Sequence, residues 1–123
     1  KKIGIQAGSS AQDAVMADTA TYELIKDNLL EFDDNVSAMR DLQGGGIDAV
    51  VVDIIVGKYY VSQHPGQYKF LEEDFGAEDF AVGLRLTDKA FQAELDKALD
   101  EMKADGTATR VSEKWFGEDI INK

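Results

Sequence analysis

The sequence predicts an α/β fold built on a three-layer parallel sheet, with helices on both faces of the sheet. Three observations predict it: short apolar runs of strand length, helical stretches that alternate with them, and turn residues between the two. The apolar runs read "KIGIQ", "LLEF", "DAVVV" and "YKFLE". Because parallel strands need a crossover connection, the alternation predicts the strand order 2-1-3-4 or a five-stranded extension of it.

The first elements follow from local signals. The strand "KIGIQ" leads through "AGSS" into a helix that either Ser9 or Ser10 caps. A second helix over "TYELIKDN" precedes the strand "LLEF". The next helix, in "DNVSAMRDLQGGG", begins after a cap at Asp34 or Asn35, and the glycines at 44–46 supply its left-handed end.

The middle of the chain repeats the pattern. The strand "IDAVVVD" follows the glycines at once and is apolar enough to be buried. The helix in "IIVGKYYVSQHPGQ" is broken at the sequence His64-Pro65-Gly66, because proline cannot continue a helix. A further strand, "YKFLEE", is expected after this break.

A different arrangement begins at residue 75. "AVGLRL" reads as a strand, and its apolar face is expected to join a sheet. A long helix is expected to open at Thr87 and close at Gly106, with one apolar face made of Phe91, Leu95, Ala98, Leu99 and Met102. In the last helix, Val111 and Trp115 lie one turn apart, and Trp115 is expected to be a core anchor rather than a ligand-stacking ring.

Composition excludes several classes of function. The 123 residues carry a net charge of −11, which argues against nucleic acid or an anionic membrane surface as a partner. The absence of cysteine excludes disulfides and thiolate chemistry, and the single histidine, His64, leaves few imidazole-based mechanisms. We expect no cofactor and no metal site. The chain begins "KKIGIQ" without methionine, so a processed product or an excised piece is expected.

The candidate site lies at the ends of the predicted strands, where open parallel sheets bind ligands. "AGSS" opens a helix, and its free backbone amides suit a carboxylate or phosphate. Asp53 ends an apolar strand and suits an ammonium group. Together they describe a receptor for the main chain of an α-amino acid; the alternatives are an ordinary helix cap at "AGSS" and a strand that merely meets solvent at Asp53.

Three segments carry a family resemblance. "KKIGIQAGSSAQDAV", "DNVSAMRDLQGGGIDAVVVD" and "KALDEMKADGTATRVSEKWFG" together resemble the second half of the polar amino-acid binding proteins that serve bacterial ABC importers. The resemblance spans essentially the whole chain and implies a lobe of the periplasmic-binding-protein fold, which is flavodoxin-like. It also implies a hinged, bilobed receptor located outside the cytoplasm, in the periplasm or lipid-anchored at the cell surface.

The resemblance implies roles for particular residues. The loop at Ser9 and Ser10 would offer a backbone amide and a hydroxyl to the ligand carboxylate, and Asp53 would accept the ligand α-ammonium. Gln6 would face the ligand side chain, although a solvated strand end explains it equally well. With the loop glycine included, the expected ligand-binding residues are Gln6, Gly8, Ser9, Ser10 and Asp53.

The resemblance also divides the chain. It implies that residues 1–74 form the second lobe, while residues 75–123 hold a strand and two helices that belong to the first lobe. Most of the first lobe, with the arginine and aromatic groups that such receptors use, is missing here. The exposed apolar faces would then pack back on the same chain, which a five-stranded sheet favours, or reach into a second copy to form a swapped dimer. The expected partners are an amino acid, the missing lobe and the membrane subunits of an ABC transporter.

Three other functions compete with this interpretation. A phosphoacceptor receiver domain needs an acidic pair after its first strand, where this chain has "QAGS". A dehydratase-like enzyme on the same fold needs a poised acid, for which Glu31, Asp33 and Asp34 are candidates. A purely structural lobe that folds without tight ligand binding remains the main alternative to the receptor.

Overall fold

The computed structural model describes residues 1–122 and divides into two compact units, Lys1–Ala77 and the residues from Glu78 onward. The first unit contains the strands Ile3–Gln6 (β1), Leu29–Phe32 (β2) and Ala49–Val51 (β3). Its helices are Ser10–Ala17 (α1), Thr19–Ile25 (α2), Asn35–Gly44 (α3) and Ile54–Gln63 (α4), with one 3-10 turn at Lys26–Asn28. The second unit contains Lys89–Ala104 (α5) and Thr107–Phe116 (α6).

The sheet is parallel, with the order β2-β1-β3, so the α/β fold class and the order of the first three strands are confirmed. The central strand β1 pairs Ile3 with Leu29 on one side and with Ala49 on the other. The best-buried apolar side chains come from this sheet and from the helices and turns beside it: Ile5, Val15, Ala38, Met39 and Ile47. This core fixes the strand ends that carry the candidate site.

The helix ends follow the sequence closely in the first unit. Ser9 is the N-cap of α1, and its hydroxyl accepts the Gln12 amide at 3.2 Å. Asp34 caps α3 by accepting the Ser37 amide at 2.7 Å, and this bond holds the pKa of its carboxyl below the usual value. Gly45, at φ 77°, supplies the left-handed end of α3.

Two predicted strands are wrong, because neither "YKFLEE" nor "AVGLRL" forms a strand among the described residues. A strand needs a neighbour to bond to, and the residues from 78 to 122 contain none. In the first unit, the chain after α4 is held by side chains: the Tyr68 ring packs edge-on against His64, and the Phe70 ring lies against Gly57. The sheet therefore has three strands rather than four or five.

The second unit departs from the prediction in the ends of its helices and in its burial. Asp88, not Thr87, precedes α5, and Gly106 opens α6 after α5 has closed at Asp105. The predicted apolar face of α5 is exposed to solvent, since Phe91 is 59% exposed and α5 has no buried residue. Trp115 is 49% exposed, so the prediction that its ring anchors a core is wrong for the described residues of the second unit.

Ser112 is the best-buried side chain of the second unit, at 1% exposure. Its hydroxyl donates to the Glu118 carbonyl at 2.8 Å and accepts the Ile120 amide at 2.9 Å. These two bonds tie the segment after α6 to the helix.

Within residues 1–122, the helices are too short or too polar for any of them to span a bilayer.

Candidate functional site

The loop between β1 and α1 runs along the carboxyl edge of the sheet. The Ala7 amide donates to the Phe32 carbonyl at 2.9 Å, which ties the start of the loop to the end of β2. The chain then turns at Gly8, whose φ of 68° is a left-handed backbone conformation that residues with a side chain rarely adopt. Ser9 closes the turn by donating its hydroxyl to the Gln6 carbonyl at 2.8 Å. The first turn of α1 therefore begins at a loop that two hydrogen bonds hold to the ends of β1 and β2.

Ser10 and Asp53 meet at this edge. The Ser10 hydroxyl lies 3.2 Å from the Asp53 carboxylate and donates to it, although the two residues are 43 positions apart in sequence. β3 ends at Val51, so Asp53 lies beyond the strand and stands at the N-cap position of α4. Its side chain makes no capping hydrogen bond to α4, and the residue is half-buried. The Asp53 carboxylate is therefore bonded to the start of α1 rather than to its own helix.

The other predicted residues divide into two groups. The side-chain amide of Gln6 donates to the Asp33 carbonyl at 3.3 Å, so Gln6 lies at the same edge. The Gly8 amide is already engaged, because it donates to the Gln12 side chain at 2.7 Å. The Ser9 hydroxyl is engaged as well, as donor to Gln6 and acceptor from Gln12. Among the described residues, the backbone amides of Ser9 and Ser10 have no hydrogen-bond acceptor, and these are the donors that an anion could use.

Sequence reasoning missed Gln12, and it considered Glu31 only as a possible acid rather than as the partner of Gln12. Gln12 is 8% exposed, and its side-chain amide donates to the Glu31 carboxylate at 2.6 Å. The signal was present in "SSAQ", because a serine cap followed three residues later by glutamine is the pattern of a capping box. Glu31 could not be found in this way, since its contact with Gln12 depends on how α1 packs on β2.

Two of the three carboxylates considered for an enzyme make structural hydrogen bonds. Asp34 caps α3, and Glu31 bonds to Gln12. Within the described part of the chain, histidine, aspartate and glutamate side chains form no group of three that could hold a metal ion.

A groove of about 550 Å³ lies in the second unit, between residues 80–86 and α5, and its walls are mostly apolar. Arg85, Lys89 and Asp96 lie among its lining residues.

The chain matches a family model over residues 5–118, that of the bacterial extracellular solute-binding proteins, family 3. It is similar to the L-cystine-binding protein TcyJ of Escherichia coli strain K12, with 28% identity over 120 residues that cover 98% of this chain and 43% of that protein. Among solved structures it is similar to an ancestral arginine-binding protein bound to glutamine, with 34% identity, a TM-score of 0.67, and coverage of 96% of this chain and 51% of that one.

A second solved structure agrees. The chain is 30% identical, at a TM-score of 0.63, to a polar amino acid ABC uptake transporter substrate-binding protein from Streptococcus thermophilus, and the match covers 99% of this chain and 48% of that one. The chain thus spans about half the length of the proteins it matches. The family match extends over both units, and the resemblance stated from the sequence is confirmed. This chain belongs to the bacterial extracellular solute-binding proteins of family 3.

Proposed function

We propose that this chain is part of the receptor component of an amino-acid ABC importer, and that it binds the main chain of a polar α-amino acid. The contact between Ser10 and Asp53, at 3.2 Å, is the observation that carries the proposal. It brings an anion-binding helix N-terminus and a carboxylate together at one edge of a parallel sheet. An α-amino acid carries its ammonium and its carboxylate on adjacent atoms, so one ligand can meet both groups.

Each site residue has a distinct role in this proposal. The amides of Ser9 and Ser10 and the Ser10 hydroxyl donate to the ligand carboxylate, while Asp53 accepts the ligand ammonium. The ammonium replaces the Ser10 hydroxyl as the partner of Asp53, which frees that hydroxyl for the carboxylate. Gln6 lies beside them and faces the ligand side chain. Gly8 contributes the turn rather than a donor, because its amide is bonded to Gln12.

The relatives support the class of ligand. Their names include a cystine-binding protein, a glutamate-binding protein and arginine-binding proteins, and a solved relative holds arginine while another holds glutamine. These side chains differ widely, and what the ligands share is the α-amino acid main chain. The role of this chain is therefore binding rather than catalysis. Its place is outside the cytoplasm, in the periplasm or lipid-anchored at the surface, next to the membrane subunits of a transporter.

The second unit belongs, in this proposal, to the other lobe of the receptor. An assignment of residues 75–123 to the first lobe, as the resemblance implies, accounts for the exposed apolar side chains of α5. In the isolated chain they fold back on the same chain or join a second copy in a swapped dimer, and in a full receptor they pack against the rest of the first lobe. Sedimentation over a range of concentrations distinguishes these states for the isolated chain.

Binding is tested by titrating the isotope-labelled chain with L-arginine, L-glutamine and L-glutamate and following backbone amide signals. We expect shifts at Ser9 and Ser10 with millimolar affinity at best for this chain tested alone, because the first lobe of such a receptor is then not there to shield the contacts from water. Butylamine and butyrate, which each carry only one of the two charges, serve as controls and should bind more weakly. If none of the amino acids moves these signals, the chain is a structural lobe and the proposal is wrong.

A further inference from the structure

The side chain of Gln12 links the candidate loop to the sheet. Its carbonyl oxygen accepts the Gly8 amide at 2.7 Å, and its amide group donates to Glu31 on β2 at 2.6 Å. Its backbone amide also donates to the Ser9 hydroxyl at 3.2 Å. Three hydrogen bonds therefore meet at one residue that is 8% exposed.

The orientation of the Gln12 amide is determined by its two partners. If the oxygen and nitrogen were exchanged, the oxygen would face the Glu31 carboxylate and the nitrogen would face the Gly8 amide, and both contacts would be repulsive. Glu31 therefore fixes which atom of Gln12 points to the loop.

The contact differs from an ordinary capping box in one respect. In that motif the third residue of the helix accepts the backbone amide of the N-cap residue, which here would be Ser9. Gln12 accepts the amide of the preceding residue, Gly8, instead. The Ser9 amide is consequently left without an acceptor among the described residues, beside the Ser10 amide.

We propose that Gln12 is a positioning residue for ligand binding, held in place by Glu31. By taking the Gly8 amide, it locks the left-handed turn and leaves the amides of Ser9 and Ser10 available to a ligand carboxylate. The inference rests on the proposed function for its ligand, while the locking of the loop is a property of the ligand-free chain. The two parts can therefore be measured separately.

The test uses the whole chain with the substitutions Gln12→Leu, Gln12→Glu and Glu31→Gln and the double change Gln12→Glu with Glu31→Gln. Gln12→Leu removes the acceptor, and the Gly8 amide should exchange with solvent roughly fivefold faster or more. Gln12→Glu alone should also release the loop, because it opposes two carboxylates. The double change restores one acceptor and one donor and should return exchange to the original rate. Glu31→Gln alone still offers an acceptor to Gln12 but no longer excludes the flipped Gln12 amide, so Gly8 exchange should rise, although less than in Gln12→Leu.

Ligand binding provides the second measurement, with L-arginine as the probe and the Ser9 and Ser10 amide signals as the readout. Gln12→Leu should weaken binding roughly threefold to tenfold, and the double change should restore it. Gln43→Leu, which alters an exposed glutamine bonded to Gln67, is the matched control and should change neither readout.

The outcomes separate the two proposals. Unchanged Gly8 exchange in Gln12→Leu, or a double change no better than Gln12→Glu, overturns the positioning role. Faster Gly8 exchange with undiminished binding overturns its link to the ligand. If the original chain binds no amino acid but Gln12→Leu still releases Gly8, the proposed function fails, while the locking of the loop by Gln12 is upheld.

Discussion

Replacing Gly4 by alanine tests the packing that places β1 at the centre of the sheet. A Cβ at this buried position would lie 2.6 Å from Ile47 Cδ1 and 3.0 Å from the Phe32 ring. Overpacking of this kind costs about 1 to 3 kcal/mol, and the lower entropy of the unfolded alanine chain offsets about 0.4 to 1 kcal/mol of it. We expect a net loss of about 1 to 2 kcal/mol, which corresponds to roughly 5 to 15 °C in the melting temperature of a unit of this size.

The chain carries its own reporters for this measurement. The four tyrosines lie in the first unit and the one tryptophan lies in the second, so tyrosine and tryptophan emission follow the two units separately. Urea unfolding of Gly4→Ala should shift the tyrosine transition to lower urea. The tryptophan transition reports whether the second unit unfolds with the first or independently.

A second substitution identifies the atoms responsible. Ile47→Val removes Cδ1, which is the atom closest to the new methyl group. Alone it should cost about 0.5 to 1.5 kcal/mol, but combined with Gly4→Ala it should cost about 1 kcal/mol less than the sum of the two. A Gly4→Ala chain as stable as the original, or strictly additive costs, would refute the packing described for β1.

Three further predictions concern stability and association. The pKa of Asp48 is lowered, chiefly by its hydrogen bond from Lys1. The contribution of this carboxylate to stability is therefore present above the ordinary pKa of 3.8 and is lost as the pH falls through the lower pKa of the folded chain. Asp48→Asn should make the urea midpoint depend less on pH over this acid range. Ser112→Ala should cost about 1 to 3 kcal/mol in tryptophan-detected unfolding, because the Ile120 amide loses its acceptor, and an unchanged midpoint would contradict this. Phe91→Ser should reduce self-association in sedimentation and leave tyrosine-detected stability unchanged, whereas equal association would show that this face is not an interface.

Local chemistry explains which parts of the fold were predictable from the sequence. The cap at Ser9, the cap at Asp34 and the left-handed end at Gly45 depend on residues within one turn of each other. The order of the first three strands is the doubly wound order that alternating strands and helices favour, so it was predicted from the fold class. The three helix ends need no knowledge of distant contacts.

Apart from the ends of α5 at Thr87 and Gly106, which are local, the wrong predictions depend on a distant partner. "AVGLRL" has the pattern of a strand, but a ladder requires a second strand, and the described residues of the second unit provide none. The apolar stripe of α5 was identified correctly, yet a stripe does not state what covers it, and Phe91 is exposed. For the same reason the pattern "SSAQ" contains the cap and Gln12, while the bond from Gln12 to Glu31 requires the packed structure.

The most direct test of the account is the affinity of Asp53→Asn for L-arginine, followed at the Ser9 and Ser10 amide signals. If Asp53 accepts the ligand ammonium, this change should weaken binding roughly tenfold, because a charge-assisted hydrogen bond is worth about 1.5 to 3 kcal/mol and partial exposure reduces it. Asp48→Asn removes the same charge before β3 rather than after it and should leave the affinity unchanged. Equal affinities for Asp53→Asn and the original chain would contradict the proposed site.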